Sequence, residues 1–583
     1  MNEKEIIKQE RAEKLFANTP IKKAIWIVAL PSLLAALMLG LYFFIDQIFI
    51  QKFVPQTRYV FDDSGKLGEI YSFLDNGVQK LTQSEFLNLF NKYNSFASSK
   101  ISTINSNTVV SQTMVAIQPF TIFSNSIVFL IPVGSAIYYT KCVSKGYKKA
   151  GQNLWASMFW TSIVTSLLAT LVTFIFIWSG FLNSLVGITK LDQNVKAKMN
   201  ANEFDLLQSY YYAAAKMSAH WAKQYMYVYA SGTILQGLVN LLSYLIRAEG
   251  YNAYVMGWAI GANLVNIALD ALFMIPLKMG VLGGVIATLI GWFVNLLAYL
   301  AYCAVKEKKA KTWLYLSILF KFKFTKKMLG PVILLGLSGF IRTFGVAISF
   351  TMISFLFSKT PFADPGHFQY YWSKSAPIVS LFLTSIYGIN DGARSLLSYN
   401  YAKKDYERCK QTYYWTMFVA IFYTTLTYTF IALTANVIWA PILNVIDAER
   451  IETVKFIRIM MLRLIAVSLS VSSLLVFQAT NNIGKSLLAS VMENFICAAI
   501  VIPIGYGIAY AVFLKTSSVA LANWIIAWFF IINLLIASTI LFIMSSYYIT
   551  KGIKKPKVKQ SWSEKIEEDF HKTSQEFENF NKI

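Results

Sequence analysis

The chain has 583 residues, of which 56% are hydrophobic and 14% are charged, whereas soluble domains carry about 25% charged residues. This composition excludes an ordinary array of soluble domains, because each of them would need polar surface that the sequence lacks. The net charge of +23, from 53 Lys and Arg against 30 Asp and Glu, does not indicate nucleic-acid binding, because the basic residues lie in short segments between apolar runs.

Twelve apolar runs follow one another along the chain, each near the length of about 20 residues that a helix needs to cross a bilayer. Helices are predicted at 24–53, 114–139, 154–178, 225–246, 254–276, 281–305, 329–357, 372–399, 413–435, 454–477, 486–512 and 519–548. Long polar stretches follow the first and third helices, and the first of these stretches is too long for a simple turn. The polar start of the chain predicts no cleavable signal peptide.

The helices divide the chain into two halves. A polar tail occupies residues 1–22, and the first half covers 23–305 with polar inserts at 54–112 and 189–221. A basic connection at 306–327 leads to the second half at 328–548, and a charged tail covers 549–583. Lys and Arg are concentrated before the first helix and in the loops after the second, sixth and eighth helices, which predicts that both termini are cytoplasmic and both inserts external. We expect a multi-pass protein of the plasma membrane.

The two halves carry a short repeat at an offset of 259 residues. KGYKK at 145–149 is followed by SMF at 157–159, and KDYER at 404–408 is followed by TMF at 416–418. An even number of helices in each half gives both copies the same orientation in the membrane, so the repeats are predicted to be parallel.

Four acidic residues fall inside predicted helices, where an ionisable group costs roughly 2.5–3.5 kcal/mol. They are Asp46, Asp270, Asp391 and Glu493. Asp46 lies 23 residues past Lys23, and Asp270 lies 20 residues past Gly250. Both carboxylates are therefore predicted in the outer half of the membrane, at similar depth.

Two neutral oxygen-bearing residues are predicted near this pair. Asn266 lies four residues before Asp270 on the same helix face, and Thr288 lies at similar depth on the next helix. Carboxylate, amide and hydroxyl oxygens suit a hard cation, and two close carboxylates can instead hold a proton. The alternatives are that both carboxylates are interfacial and solvated, and that Asn266 and Thr288 only join helices by hydrogen bonds.

Other charged residues have simpler interpretations. Asp391 and Arg394 are three residues apart, which favours an ion pair within one helix. Glu493 has no partner nearby in sequence, and Arg458 or Arg463 of the preceding helix could supply one. Pro31 removes a backbone hydrogen bond from the first helix and is predicted to kink it or to act as a hinge.

Several segments resemble motifs of MATE transporters, a family of the MOP flippase superfamily. They are ALPS at 29–32, LYFFIDQIF at 41–49, LIRAEG at 245–250, NIALDALF at 266–273, GVLGGVIAT at 280–288, YNYAK at 399–403 and FQA at 477–479. The resemblance implies two six-helix lobes around a central cavity, with alternating access and with helix 1 bending near Pro31. It also implies a cation site in the N-terminal lobe at Asp46, Asn266, Asp270 and Thr288.

The second half departs from the family pattern. At an offset of 231 residues, Asn266 corresponds to Cys497 and Asp270 to Val501, so a second cation site is not expected. Some relatives have an acidic residue early in helix 7, where this chain has Arg342. Together with Asp391 and Glu493, this arginine changes the charge expected in the C-terminal cavity, and therefore the substrate preference.

The leading hypothesis is an antiporter that exports organic, cationic compounds as a monomer in exchange for Na⁺ or H⁺, without a cofactor. The alternative is a flippase for lipids or lipid-linked oligosaccharides, whose cavity would need basic residues such as Arg342, Arg394, Arg458 and Arg463. An enzyme is disfavoured, because the sequence has no Walker motif, nucleophile elbow or cluster of metal ligands. The scattered cysteines and histidines likewise predict no disulfide and no zinc site.

Overall fold

The chain is an all-α membrane protein of about twelve transmembrane helices, as the sequence predicts. The computed structural model describes residues 18–61, 68–97, 101–249, 251–364, 366–480, 482–553 and 562–579, and within these ranges there is no β-strand. Ten helical stretches are long and apolar enough to cross a membrane. Two more polar passes, Ala201–Ala248 and Phe368–Ala402, complete the twelve.

We number the passes α1 to α12 in chain order, and several of them contain a break or a π-helical turn. The first six are α1 Ile21–Thr57, α2 Ser106–Val128 with Pro132–Lys145, α3 Lys148–Trp178, α4 Ala201–Ser231 with Thr233–Ala248, α5 Asn252–Met274 and α6 Val281–Lys308. The last six are α7 Lys326–Lys359, α8 Phe368–Ala402, α9 Tyr406–Thr434 with Ala435–Trp439 and Ala440–Ile442, α10 Arg450–Met461 with Arg463–Ala479, α11 Ile483–Val491 with Met492–Ile496 and Cys497–Thr516, and α12 Val519–Tyr547 with Tyr548–Gly552. The two copies of the repeat lie at matching places, at the α2–α3 and α8–α9 junctions.

Both polar inserts are shorter than predicted. Pass α1 continues to Thr57 and α2 already begins at Ser106, so the ends of the predicted 54–112 insert are helical. The predicted loop 189–221 is helical from Ala201 onward, because α4 extends beyond the apolar run. Its polar side chains lower the hydropathy, while Leu207, Tyr210 and Tyr211 are buried.

The inserts pack together at one end of the bundle, which we call the insert end. Helix Gln83–Phe96 begins with a capping box between Thr82 and Glu85, and it buries Phe86 against the α4 extension. The ring centroids of Phe86 and Tyr210 are 5.6 Å apart. The insert and the extended α4 therefore share one hydrophobic core.

The two halves meet along α1 with α8 and along α2 with α7. Small residues bring the backbones close together: a Cβ atom at Gly40 would lie 2.5 Å from the carbonyl oxygen of Leu381, and one at Gly388 would lie 2.5 Å from that of Ser32. The same is true of Gly134 against Val332, where a Cβ atom would collide with the carbonyl group. Such seams are typical of membrane helices that pack without a hydrophobic driving force.

The opposite end of the bundle, which we call the termini end, carries Ile21 and the connection between α6 and α7. Part of the predicted charged tail is folded there as the helix Trp562–Asn579, which contacts α3 and α7. Lys141 forms an ion pair of 2.5 Å with Glu567, and the ring of Phe570 lies 4.5 Å from that of Tyr138. This helix therefore contacts both halves of the chain.

Candidate functional site

The four residues predicted to bind a cation lie on three helices that contact one another. Asp46 is on α1, Asn266 and Asp270 are on α5, and Thr288 is on α6. All four lie in the half of their helix that leads to the insert end, and all are buried: their exposed fractions are 3% for Asp46, 0% for Asn266, 0% for Asp270 and 2% for Thr288. The sequence prediction of a common depth agrees with this placement.

Glycines on α6 provide the space for these side chains. A Cβ atom at Gly284 would lie 2.8 Å from Oδ1 of Asp46, and one at Gly291 would lie 3.2 Å from Cβ of Asn266. The hydroxyl of Thr288 donates a hydrogen bond of 3.0 Å to the carbonyl oxygen of Gly284. Because that bond uses the hydroxyl proton, the lone pairs of the Thr288 oxygen stay available as acceptors.

Five buried polar atoms of this group have no hydrogen-bond partner among the described residues. Oδ1 of Asp46, both carboxylate oxygens of Asp270 and both polar atoms of the Asn266 amide are in this state. A buried carboxylate without a partner is costly, and proteins compensate for it with a counter-charge or with a bound proton. The arrangement is thus suited to a cation, with carboxylate, amide and hydroxyl oxygens as ligands.

Aromatic side chains surround the carboxylates. Tyr42 and Tyr225 are buried, and both interact electrostatically with Asp46 and with Asp270, which also interact with each other. Nearby, Tyr229 donates a hydrogen bond of 3.1 Å to Oδ1 of Asn125. Tyr42 precedes Asp46 by four residues and so shares its helix face, a signal that the sequence reading missed.

Helix α1 runs without interruption through Pro31, although proline removes a backbone hydrogen bond there. The side chain of Pro31 is exposed, and its neighbour Ser32 lies against Gly388 of α8. The structure thus places the predicted hinge at the seam between the two halves, about four turns from Asp46 on the same helix.

The remaining predicted residues lie elsewhere, in the second half. Asp391 and Arg394 form the predicted ion pair within α8, with a distance of 2.9 Å, and the hydroxyl of Tyr244 on α4 lies 3.4 Å from Asp391. Arg342 of α7 and Glu493 of α11 belong to a second group. Arg463 interacts electrostatically with Glu493 there, whereas Arg458 points away and donates a hydrogen bond to the carbonyl oxygen of Ala432.

Solved structures of transporters share this architecture over almost the whole chain. A MOP superfamily transporter from Pyrococcus furiosus, described by the reverse polarity of its binding pocket, is 17% identical and superposes with a TM-score of 0.62 over 94% of this chain and 99% of its own. The outward-facing conformation of a multidrug resistance MATE transporter is 18% identical, with a TM-score of 0.60 and the same coverage. The chain has the MATE fold.

The motif resemblance is thereby confirmed at the level of the fold. A crystal structure of MATE in complex with MaL6 also matches the chain, at 17% identity with a TM-score of 0.60. No family model matches the sequence. The assignment of the MATE fold therefore depends on three-dimensional similarity and on the sequence motifs.

Relatives by sequence come from mycoplasmas. The uncharacterized protein MG447 homolog of Mycoplasmoides gallisepticum is 25% identical over 525 residues, which cover 88% of each chain. The uncharacterized protein MG447 of Mycoplasma genitalium is 25% identical over 531 residues, covering 89% of this chain and 92% of its own.

Proposed function

We propose that this chain is a secondary active transporter that moves an organic compound out of the cell in exchange for Na⁺ or H⁺, with its termini in the cytoplasm. The observation that carries the proposal is the pair of buried carboxylates, Asp46 and Asp270, three of whose four oxygens lack hydrogen-bond partners among the described residues. Such a pair is stable only when a cation or a proton compensates its charge.

Either coupling ion fits the same residues. Na⁺ would take oxygen ligands from Asp46 and Asp270, with the Asn266 amide and the Thr288 hydroxyl as neutral ligands. H⁺ would instead be shared by the carboxylate pair, which would titrate as one unit. The all-oxygen set does not by itself separate the two ions.

Coupling needs the ion to favour one conformation over another. Helix α1 could link ion binding to a conformational change, because it carries Asp46 and also packs against α8 of the opposite half at Gly388. A change in charge at Asp46 would alter the packing of α1, and Pro31 is where that helix lacks a hydrogen bond. Alternating access would follow from movement of the two halves about this seam.

A flippase for lipids or lipid-linked oligosaccharides is the second candidate. It is favoured by Arg342 and Arg463, which each present a buried guanidinium nitrogen without a hydrogen-bond partner among the described residues. Basic groups of this kind neutralise phosphate. The two candidates differ in the cargo that is moved and not in the fold.

The test is transport by purified protein in proteoliposomes that contain a fluorescent organic cation or, in a parallel assay, a fluorescent organic anion, with an imposed Na⁺ or H⁺ gradient and no ATP. We expect dye movement that depends on one of the two gradients and that is lost in Asp46→Asn. A second assay follows labelled phospholipid between the leaflets. Gradient-independent lipid movement, with no dye transport under either gradient, would contradict the exporter and favour the flippase.

A further inference from the structure

A second polar cavity lies in the C-terminal half, outside the candidate cation site. Helices α7, α8, α10, α11 and α12 line it, and its polar side chains are Tyr387, Arg463, Glu493, Asn494 and Asn533. Ser349 adds a hydroxyl to this lining, and the apolar wall is formed by residues such as Met352, Leu383 and Val467. Its volume of about 20 Å³ leaves room for a small polar group, such as the polar end of a ligand.

The charges around this cavity do not cancel. Arg463 lines it, and the guanidinium of Arg342 stacks on the ring of Tyr387 with its Cζ atom 3.7 Å from the ring centroid. Glu493 is the only acidic residue among the described residues that line the cavity. Arg342 lies beside the lining, and both it and Arg463 interact electrostatically with Glu493, so these three residues carry a net charge of +1. Oε1 of Glu493 already accepts a hydrogen bond of 2.7 Å from Ser470.

Hydrogen-bond donors are left over in this group. Arg463 is only 4% exposed, yet its Nη1 atom has no hydrogen-bond partner among the described residues, and Nη2 of Arg342 is in the same state. Removing a charged donor from water without a partner is unfavourable. Glu493 stands in a π-helical turn, Met492–Ile496, and such turns often occur at functional sites.

We infer that the C-terminal cavity binds an oxyanion of the cargo, a carboxylate or a phosphate, through Arg342 and Arg463. A guanidinium pairs with either group through two parallel hydrogen bonds. The inference rests on the proposed transport function and names the class of cargo. It replaces the expectation of a purely cationic compound with one that carries an acidic group.

This subsite is separate from the coupling site. Asp46, Asn266, Asp270 and Thr288 lie on α1, α5 and α6, whereas the cavity is lined only by helices of the second half. Cargo binding at equilibrium should therefore be independent of the coupling carboxylates. That independence allows the two proposals to be tested separately.

The experiment measures equilibrium binding to purified protein without any ion gradient, by fluorescence anisotropy. Carboxyfluorescein is the probe for a free organic anion, and NBD-labelled phosphatidylglycerol is the probe for a lipid headgroup. We expect one of them to bind, and to bind about tenfold or more weakly to Arg463→Gln and to Arg342→Gln, because each variant loses a charge-assisted hydrogen bond. The probe that binds identifies the source of the anionic group.

The matched control is Arg458→Gln, on the same helix as Arg463 but exposed and hydrogen-bonded to Ala432, which should bind as the parent does. The double variant Arg463→Gln/Glu493→Gln removes both buried charges, so it tests the guanidinium without leaving the carboxylate unpaired. Asp46→Asn should bind the probe normally and fail only in gradient-driven transport. Failure of both probes to bind the parent, or parental binding by both single arginine variants, would overturn the inference.

Discussion

Asp46 and Gly284 face each other in direct contact across α1 and α6, and a Cβ atom at Gly284 would lie 2.8 Å from Oδ1 of Asp46. A side chain at position 284 would force the side chain of Asp46 or of Met274 to shift. Gly284 therefore sets the space around the proposed cation site, although it supplies no ligand.

The first prediction follows from this contact. Gly284→Ala should impair gradient-driven transport, because overpacking of about 1–3 kcal/mol would displace the Asp46 carboxylate. The matched control is Gly257→Ala on α5, where an added Cβ meets nothing within 4 Å. Transport is measured in proteoliposomes at equal protein content. Equal rates for the two alanine variants would show that the α6 backbone does not restrict the site.

The second prediction concerns the carboxylate pair. Asp46→Asn and Asp270→Asn should each abolish coupled transport, and the double variant should be little worse than either one, because the pair holds one ion as a unit. Thr288→Val should be milder, since it removes one neutral oxygen. If both single variants transport at the parental rate under either gradient, the proposed site is wrong and Asp391 or Glu493 becomes the next candidate.

The carboxylate site could be predicted because depth and helix phase can be counted along the sequence. Counting places Asp46, Asn266, Asp270 and Thr288 at similar depth, and the structure has all four buried on contacting helices. Tyr225 and Gly284 could not be assigned in this way, because their places depend on how α4 and α6 are rotated about their axes. The cavity lined by Arg463 could not be predicted from the sequence either, because its lining residues come from five different helices.

The fold could be predicted wherever hydropathy alone marks a helix. The amphipathic segments were missed, because their polar faces dilute the apolar signal. Phe86 is buried partly against Tyr210 of the α4 extension, and Phe570 packs against Tyr138. The sequence alone does not show which residues will pack against these rings, so the first segment was predicted as a polar insert and the second as a charged tail.

The third prediction is the orientation of the bundle. Asn76 is exposed at the insert end and Lys309 is exposed at the termini end. Asn76→Cys should react with an impermeant maleimide added to intact cells, and Lys309→Cys should react only after the cells are opened, because Lys-rich loops stay inside. The unsubstituted protein is the control, since its four cysteines are buried. Labelling of Lys309→Cys in intact cells would reverse the proposed orientation.

The fourth prediction concerns pH. His367, between α7 and α8, lies 2.9 Å from Asp364 and 3.2 Å from Glu449. Burial alone would lower the pKa of His367, but hydrogen bonds to these two carboxylates, together with their charges, raise it from 6.5 to about 10. Because the folded pKa is the higher one, the resulting stabilisation is complete below about pH 6.5 and is lost as the pH rises toward 10.

His367→Gln should therefore unfold at a lower temperature than the parent near neutral pH, with a difference that shrinks as the pH approaches the folded pKa. The measurement is the thermal midpoint of both proteins across that range. His220→Gln is the control, because His220 is exposed and has no carboxylate partner in a described ion pair. A difference that stays constant with pH would contradict a charged His367.

The last prediction concerns Glu249, at the termini end of α4, a residue to which the sequence reading gave no role. Its buried carboxylate accepts hydrogen bonds from the hydroxyls of Tyr139 and Tyr302, at 2.7 and 2.9 Å. It also accepts them from the hydroxyl of Thr312 at 2.7 Å and from the backbone N–H of Trp313 at 2.9 Å. One side chain thus ties α2, α4 and α6 to the connection between the two halves.

Glu249→Ala should lower the thermal midpoint strongly, because it leaves several buried donors without an acceptor at about 1–3 kcal/mol each. Glu249→Gln should be intermediate, since its amide keeps one acceptor oxygen and adds two donors. Unfolding can be followed with a maleimide fluorophore, because the four cysteines are buried in the folded protein. Glu452→Ala is the control, since Glu452 pairs only with the exposed Lys455. If Glu249→Ala and Glu452→Ala unfold at the same temperature, the hydrogen bonds at Glu249 do not hold this end of the bundle together.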